Sequence, residues 1–310
     1  MLARARPQGR YGPDVDDADP LETLLRAGSW TGPSHPQTAL PAGDVTVGVV
    51  RVADTVRRPR QPQSRAVAAL LLHLHAAGFR GAPRFLGTDA EGRDVLEHVD
   101  GDVAGAELPD WAADDALLAP LGALLRGLHE AAGGFVAPPR PQWFRDQLPD
   151  PPEHAALLPP STVVGHNDVT PQNVVVRDGV PLAVVDFDLS GPTTGLREVV
   201  NTCLHWAPLR DPVDREGAYA RMDPFARCRL LADGYGLSGP ERAAFVDTAV
   251  VSAVVGRHRM RRAALEYGGG WARMWQEGVG DVIARREVWL RGSRSRIEDA
   301  LLAGHRRATT

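Results

Sequence analysis

Apolar and polar positions change their period along the chain. Val49-Val50-Arg51-Val52 and the run around Val56 are β-branched stretches on either side of Ala53-Asp54, which predicts two antiparallel strands. Residues 63–77 place Val67, Leu70, Leu71 and Leu74 at three- and four-residue steps, so they predict a helix closed by Gly78. Residues 83–89 and 93–99 predict two more strands around a Glu91-Gly92 turn. The period then turns helical. Residues 115–131 carry a stripe of Leu117, Leu118, Leu121, Leu124, Leu125 and Leu128. Residues 135–160 hold eight prolines and cannot form one regular element. Val174–Arg177 and Leu182–Val185 predict a hairpin about Asp178-Gly179. Helices follow over 196–209, over 215–233 with Gly234 as terminator, and from a Ser238–Glu241 capping box through Ala264. Gly268-Gly269-Gly270 breaks the chain before a helix over 271–290. Met1–Pro20 has no period and reads as a mobile leader, with a short helix over 21–28 behind it. The fold class is α+β, a small antiparallel sheet followed by a mostly helical region.

Chemistry concentrates where the hairpin begins and ends. His166-Asn167-Asp168 and Asn173 form a His-x-Asp-x-x-x-x-Asn pattern, and Val184-Val185-Asp186-Phe187-Asp188 follows. Phosphoryl transfer needs a carboxylate to take or orient the acceptor's hydroxyl proton, and hard oxygen ligands to hold a cation against the polyphosphate. Asp168 supplies the first; Asn173 and Asp186 supply the second, because a hairpin brings its ends together. With 10 His, 26 Asp and 3 Asn in 310 residues, chance yields about 0.01 such matches before the Asp-Phe-Asp is required. The bland alternative is a buried His and an Asx-turn beside two core strands.

These motifs resemble the aminoglycoside phosphotransferase and choline kinase-like family, distant relatives of protein kinases, over about residues 21–290. The resemblance implies a two-lobed protein-kinase-like fold. The leader 1–20 precedes a nucleotide-binding lobe over 21–99, a catalytic and acceptor-binding lobe over 100–290, and a helix or tail over 291–310. It implies ATP or GTP as donor, Mg2+, and a small-molecule hydroxyl acceptor. Asp168 takes the base role, Asn173 and Asp186 hold the metal, Asp188 assists through water, and His166 buttresses the loop. The Gly43–Gly48 loop, with Gly43, Thr46 and Gly48, lies where family loops lay amides over phosphates. Glu97, His98 and Val99 form the hinge that meets the adenine edge through backbone groups. The family's phosphate-binding lysine has no counterpart. Arg58 is the substitute and Arg57 the second choice, since a guanidinium grips phosphate with two parallel hydrogen bonds. The helix over 63–77 lacks the glutamate that usually pairs with that lysine. Packing is the expectation for His129, in a family-like Leu-His pair.

Composition narrows this reading. There is no lysine, so all 35 basic residues are arginine. That excludes a P-loop and Schiff-base chemistry. The net charge of −4 gives no general nucleic-acid signal. Two unpatterned cysteines give no disulfide framework, and no apolar run of membrane-spanning length or signal-peptide core occurs, so a cytoplasmic protein with no membrane partner is expected. Charge is uneven: residues 1–200 sum to −9 and residues 201–310 to +5. Arg257, His258, Arg259, Arg261 and Arg262 form either a solvated helix face or a site for an anionic or polar acceptor. The basic balance counts against a polycationic one. The missing Lys and Glu keep open a pseudokinase acting as a nucleotide sensor or scaffold. A metallohydrolase built on His166 lacks a second His or Cys at usable spacing.

Overall fold

The computed structural model describes residues 20–32, 36–40, 48–105, 107–138 and 143–303. Its architecture is the two-lobed protein-kinase-like one. The first lobe is a five-stranded antiparallel sheet of β1 (Thr38–Ala39), β2 (Val50–Val52), β3 (Thr55–Arg58), β4 (Phe85–Thr88) and β5 (Asp94–Glu97), in the order β1-β2-β3-β5-β4. The β2–β3 turn runs through Ala53 at φ 52°. After the short helix α1 (Pro20–Leu24), α2 (Ser64–Ala76) is the lobe's main helix, and it buries Ala66, Val67, Leu70, Leu71 and Leu74. Its apolar spacing is what the sequence predicts.

The second lobe is built on α3 (Leu118–Ala131). Two short helices, α4 (Phe144–Gln147) and α5 (Pro152–Ala155), occupy the proline-rich stretch. Strands β6 (Val163–Gly165), β7 (Val174–Arg177), β8 (Val180–Val184) and β9 (Gly191–Thr193) make two antiparallel pairs, β6–β9 and β7–β8. Then come α6 (Gly195–Trp206), α7 (Pro224–Tyr235), α8 (Gly239–Glu266), α9 (Gly269–Gln276), α10 (Val279–Gly292) and α11 (Arg294–Ala303). The Ser238–Glu241 capping box forms as expected. Ile297 and Leu301 of α11 are fully buried in the common core.

Two expected helices differ. The segment over 215–233 is α-helical only from Pro224, after a short 3-10 helix over Gly217–Arg221, because Asp223 caps the α-helix by accepting from the Phe225 and Ala226 amides. Its terminator is Gly236, at φ 81°, and not Gly234. Gly234 lies inside α7, where a Cβ would sit 2.1 Å from Ala119 O. A Cβ on Gly122 would likewise meet Leu231 O at 2.5 Å. The two glycines let the α3 and α7 backbones touch, a packing role that one-dimensional reading mistakes for a stop signal. The helix over 271–290 is cut at Gly278, φ 94°, into α9 and α10.

Candidate active site

The β7–β8 hairpin turns through Asp178 and Gly179, both at positive φ (51° and 74°), which is the twist a two-residue hairpin demands. Its open end is tied by the Val185 amide donating to Asn173 O at 2.8 Å. Asn173 and Asp186 therefore stand side by side. Asn173 Nδ2 donates to Asp168 Oδ2 at 2.8 Å and to Asp168 O at 3.0 Å, so the amide oxygen of Asn173 is the end left for another partner. Asp186 is left-handed (φ 62°, ψ 69°), a conformation an L-residue adopts at a cost. It turns the chain so that Phe187 is buried while the Asp186 side chain stays 44 % exposed.

His166 is fully buried and joins both arms of the site. The Asp168 amide donates to its Nδ1 at 3.2 Å, and its Nε2 lies 2.9 Å from Val185 O. An acceptor Nδ1 and a donor Nε2 define one neutral tautomer. Burial pushes its pKa down, against the pull of Glu198 and the other nearby carboxylates. Buttressing is the role these bonds describe. Phe187 packs its ring against His166 at 4.6 Å between centroids.

Beneath the loop lies a network that motif reading passed over. Glu198, completely buried on α6, accepts from the Asn167 amide at 2.6 Å and contacts His129 Nε2 at 2.5 Å. His129 Nδ1 reaches the Tyr235 hydroxyl at 2.8 Å. His129 is thus a polar link and not simple packing, which corrects the expectation above. Burial raises the Glu198 pKa, but the His129 charge and hydrogen bond and the Asn167 amide outweigh it, and the net shift is downward. The sequence signal was present: an acidic residue between Leu196 and Val199-Val200 on an apolar helix face needs a buried partner.

Arg58 and Arg57, neighbours on β3, face opposite ways, as strand alternation requires. Arg57 turns to Thr55 and Asp89, with its guanidinium 6.0 Å over the Trp30 ring. Arg58 enters the cleft. It pairs closely with Asp188 and lies 3.4 Å from Asp186. Burial works to lower the Arg58 pKa, but Asp188, Asp186 and Asp94 raise it on balance. The carboxylate absent from α2 is replaced by one at the far end of the Asp-Phe-Asp run. Asp188 is accordingly an arginine partner here, where assistance to a metal through water was expected.

At the hinge, the Glu97 amide donates to Arg84 O and the His98 amide to Asp54 O, both at 2.9 Å. That corrects part of the expectation, since the His98 amide is already consumed by the sheet. Glu97, His98 and Val99 line a cavity of about 610 Å3 with His75, Arg80 and Arg84. None of Arg58, Asp168, Asn173 and Asp186 lines it, so this cavity lies apart from the chemistry. Gly48, at φ 86°, sits against Pro59 just past Arg58. Gly43 and Thr46 lie outside the described residues, as does the leader apart from Pro20. The Arg257–Arg262 cluster is largely used up in tethering: Arg257 donates to Gly280 O, Arg259 pairs with Asp150, and Arg262 donates to Pro149 O.

Among the described residues no group of three or more His, Cys, Asp and Glu converges as a metal cage. The oxygen of Asn173 and the exposed carboxylate of Asp186 are instead the pair suited to a hard cation that takes its remaining oxygens from phosphate and water.

Comparison with known proteins bears on the family and the fold. Residues 46–231 match the Phosphotransferase enzyme family. The chain is 34 % identical over 210 residues to the trifolitoxin immunity protein of Rhizobium leguminosarum bv. trifolii, covering 66 % of this chain and 77 % of that protein. Its fold is similar to a choline/ethanolamine kinase family protein from Mesorhizobium loti (TM-score 0.60, 16 % identity, 91 % of this chain and 97 % of that one). It is also similar to amicoumacin kinase hAmiN in complex with AMP-PNP, Ca2+ and Ami (TM-score 0.53, 13 % identity, 78 % and 84 %). The match to the family model, which spans more than half of the chain, places it: it belongs to the phosphotransferase enzyme family.

Proposed function

We propose that the protein transfers the γ-phosphoryl group of ATP or GTP to a hydroxyl of a small molecule, with Mg2+. The observation that carries this reading is the clamp of Asp168, Asn173 and Asp186 across one hairpin end, facing Arg58 from the other lobe. Asp168 takes the proton of the acceptor hydroxyl as that oxygen bonds to the γ-phosphorus and the bond to the β-phosphate bridging oxygen breaks. Asn173 holds the Asp168 carboxylate in place through Nδ2 and, with Asp186, would hold the cation. When bound, Mg2+ neutralises charge on the phosphate oxygens. Arg58, anchored by Asp188, turns its remaining N–H groups toward phosphate. Glu97 O and the Val99 amide are assigned to the adenine edge. Gly43, Thr46 and Gly48 are assigned to the phosphate-covering loop. Most of the rate then comes from positioning and charge. No helix among the described residues is long and apolar enough to cross a membrane. We place the protein in the cytoplasm, where nucleoside triphosphates are available.

A second reading, a nucleotide-binding pseudokinase, draws on the contact between Arg58 and Asp186, the residue assigned to the metal. One experiment separates the two. Thermal shift with ATP and GTP, each with and without Mg2+, is run on wild type and Asp186→Asn, together with an assay of nucleotide hydrolysis. A magnesium-dependent rise that the variant loses, with Mg2+-dependent hydrolysis, supports the enzyme. Binding without hydrolysis supports the pseudokinase. No rise with either nucleotide refutes both.

A further inference from the structure

Buried arginines in this chain can be fully served. Arg227 donates to Trp206 O and Ala113 O at 2.7 Å and to Ala112 O at 3.1 Å, and it pairs with Asp115. Arg242 donates to Leu237 O and Leu301 O at 2.9 Å and pairs with Asp233. Arg210 and Arg286 are different. Their Nε atoms are closed off from solvent and have no hydrogen-bond partner among the described residues. Arg210 makes one long bond, Nη2 to Leu204 O at 3.4 Å, and lies 5.0 Å over the Tyr219 ring. His205 lies within electrostatic reach of both charges, and the bonds from Arg285 to Asp214 hold the Arg286 end of α10 against the loop that carries Arg210. The carboxylate within electrostatic reach of both is Asp214, and it is already held by Arg285 through two bonds, one of them 3.0 Å.

Two guanidiniums and an imidazole sharing a half-buried site without a carboxylate of their own are costly. Burial, together with Arg286 and Arg210, pushes the His205 pKa down to about 3. Burial and Arg210 pull Arg286 down to about 10. A native protein keeps such unpaired groups when something else completes them. The Arg145–Arg197–Arg259 group also leaves an Nε unpartnered, on Arg197, but it contains its own carboxylate in Asp150.

The position is also informative. His205 adjoins Trp206, whose indole N–H donates to Val169 O at 3.0 Å, next to Asp168. Arg210 follows four residues later. The cluster therefore sits at the end of α6 that is pinned to the catalytic loop, and it belongs to residues 201–310, which carry a net charge of +5.

We propose that Arg210, Arg286 and His205 form an anion subsite that holds a carboxylate or phosphate group of the acceptor. The substrate is then an anionic hydroxyl compound, a reading that rests on the phosphotransferase function above. The outer guanidinium N–H groups of Arg210 and Arg286 supply the donors that either anion accepts, and a polycationic acceptor is repelled.

The test uses the full chain at constant ionic strength. Melting temperature is followed against inorganic phosphate and, in parallel, glycolate, with and without saturating MgAMP-PNP. Wild type is compared with Arg210→Gln, Arg286→Gln and the exposed control Arg26→Gln in the first lobe. A saturable rise with either anion is expected. Its midpoint should move at least tenfold higher in the two cluster variants and stay put in the control. The stronger anion identifies the group on the acceptor. Without anion, Arg286→Gln should melt at or above wild type, because it removes an uncompensated charge. A fall would mark Arg286 as a structural anchor and overturn the proposal. So would no saturable rise, or a rise retained in both cluster variants. If Arg286→Gln does not fold, Arg210→Gln alone decides on the anion midpoint. Phosphate binding is read without nucleotide, so a failure of the nucleotide arm counts against the phosphotransferase reading and leaves this result separate.

Discussion

Replacing Glu198 with alanine tests the network under the catalytic loop. The substitution leaves the Asn167 amide without its 2.6 Å acceptor and His129 Nε2 without its 2.5 Å partner, both inside a fully buried site. Breaking a buried charged pair from one side costs about 3–5 kcal/mol, and the orphaned amide is already part of that figure. At about 2 °C per kcal/mol for a chain of this size, the melting temperature should fall by on the order of 8 °C. Turnover should fall with it, since Asn167 precedes Asp168. Glu198→Gln is the graded control. Its amide oxygen still serves Asn167, and its NH2 can donate to His129 in the other tautomer, so about 1–2 kcal/mol is expected. The sign with pH follows from the depressed Glu198 pKa. The carboxylate's contribution is complete above its unfolded pKa, near 4.3, and is lost as pH falls through the folded value. The gap between wild type and Glu198→Gln, measured by urea unfolding, should therefore close as the buffer is acidified below about pH 4. A Glu198→Ala protein within about 1 kcal/mol of wild type and fully active, or a gap that persists unchanged in acid, would refute the argument. Gly165→Ala gives an independent check, because its Cβ would lie 1.7 Å from Glu198 Oε2.

Other consequences are simpler to state. Asp168→Asn should lower turnover by roughly 10²–10⁴-fold, the usual range for a positioned base, while nucleotide affinity measured by calorimetry stays within about twofold of wild type; an equal loss of binding argues against the base role. Arg58→Met should weaken nucleotide binding by about tenfold or more, and an unchanged Kd would remove Arg58 from the phosphate site. His205 has a folded pKa far below its unfolded one, so the unfolded chain binds the extra proton. Stability should fall by up to about 1.4 kcal/mol per pH unit as pH drops below about 6.5, and His205→Gln should flatten that slope; an identical slope in the variant shows that His205 is not buried as described.

Local pattern alone determined much of this protein. The strands around Ala53-Asp54, the α2 stripe, the Asp178-Gly179 hairpin and the spacing of Asp168, Asn173 and Asp186 are short-range features. Each rests on side-chain period or turn chemistry within a few residues. That Arg57 and Arg58 face opposite ways follows from strand alternation; which of the two meets Asp186 and Asp188 was decided by the fold. Tertiary structure decided what depends on residues far apart in the chain. Gly122 and Gly234 permit two helices to touch only because of where they cross. Asp188 anchors Arg58 across 130 residues of sequence. His129, Glu198 and Tyr235 become one network only when α3, α6 and α7 pack together. His205, Arg210 and Arg286 look like ordinary surface residues in sequence, and folding brings them into one half-buried site. A buried charge takes its meaning from its partners, and its partners are set by packing.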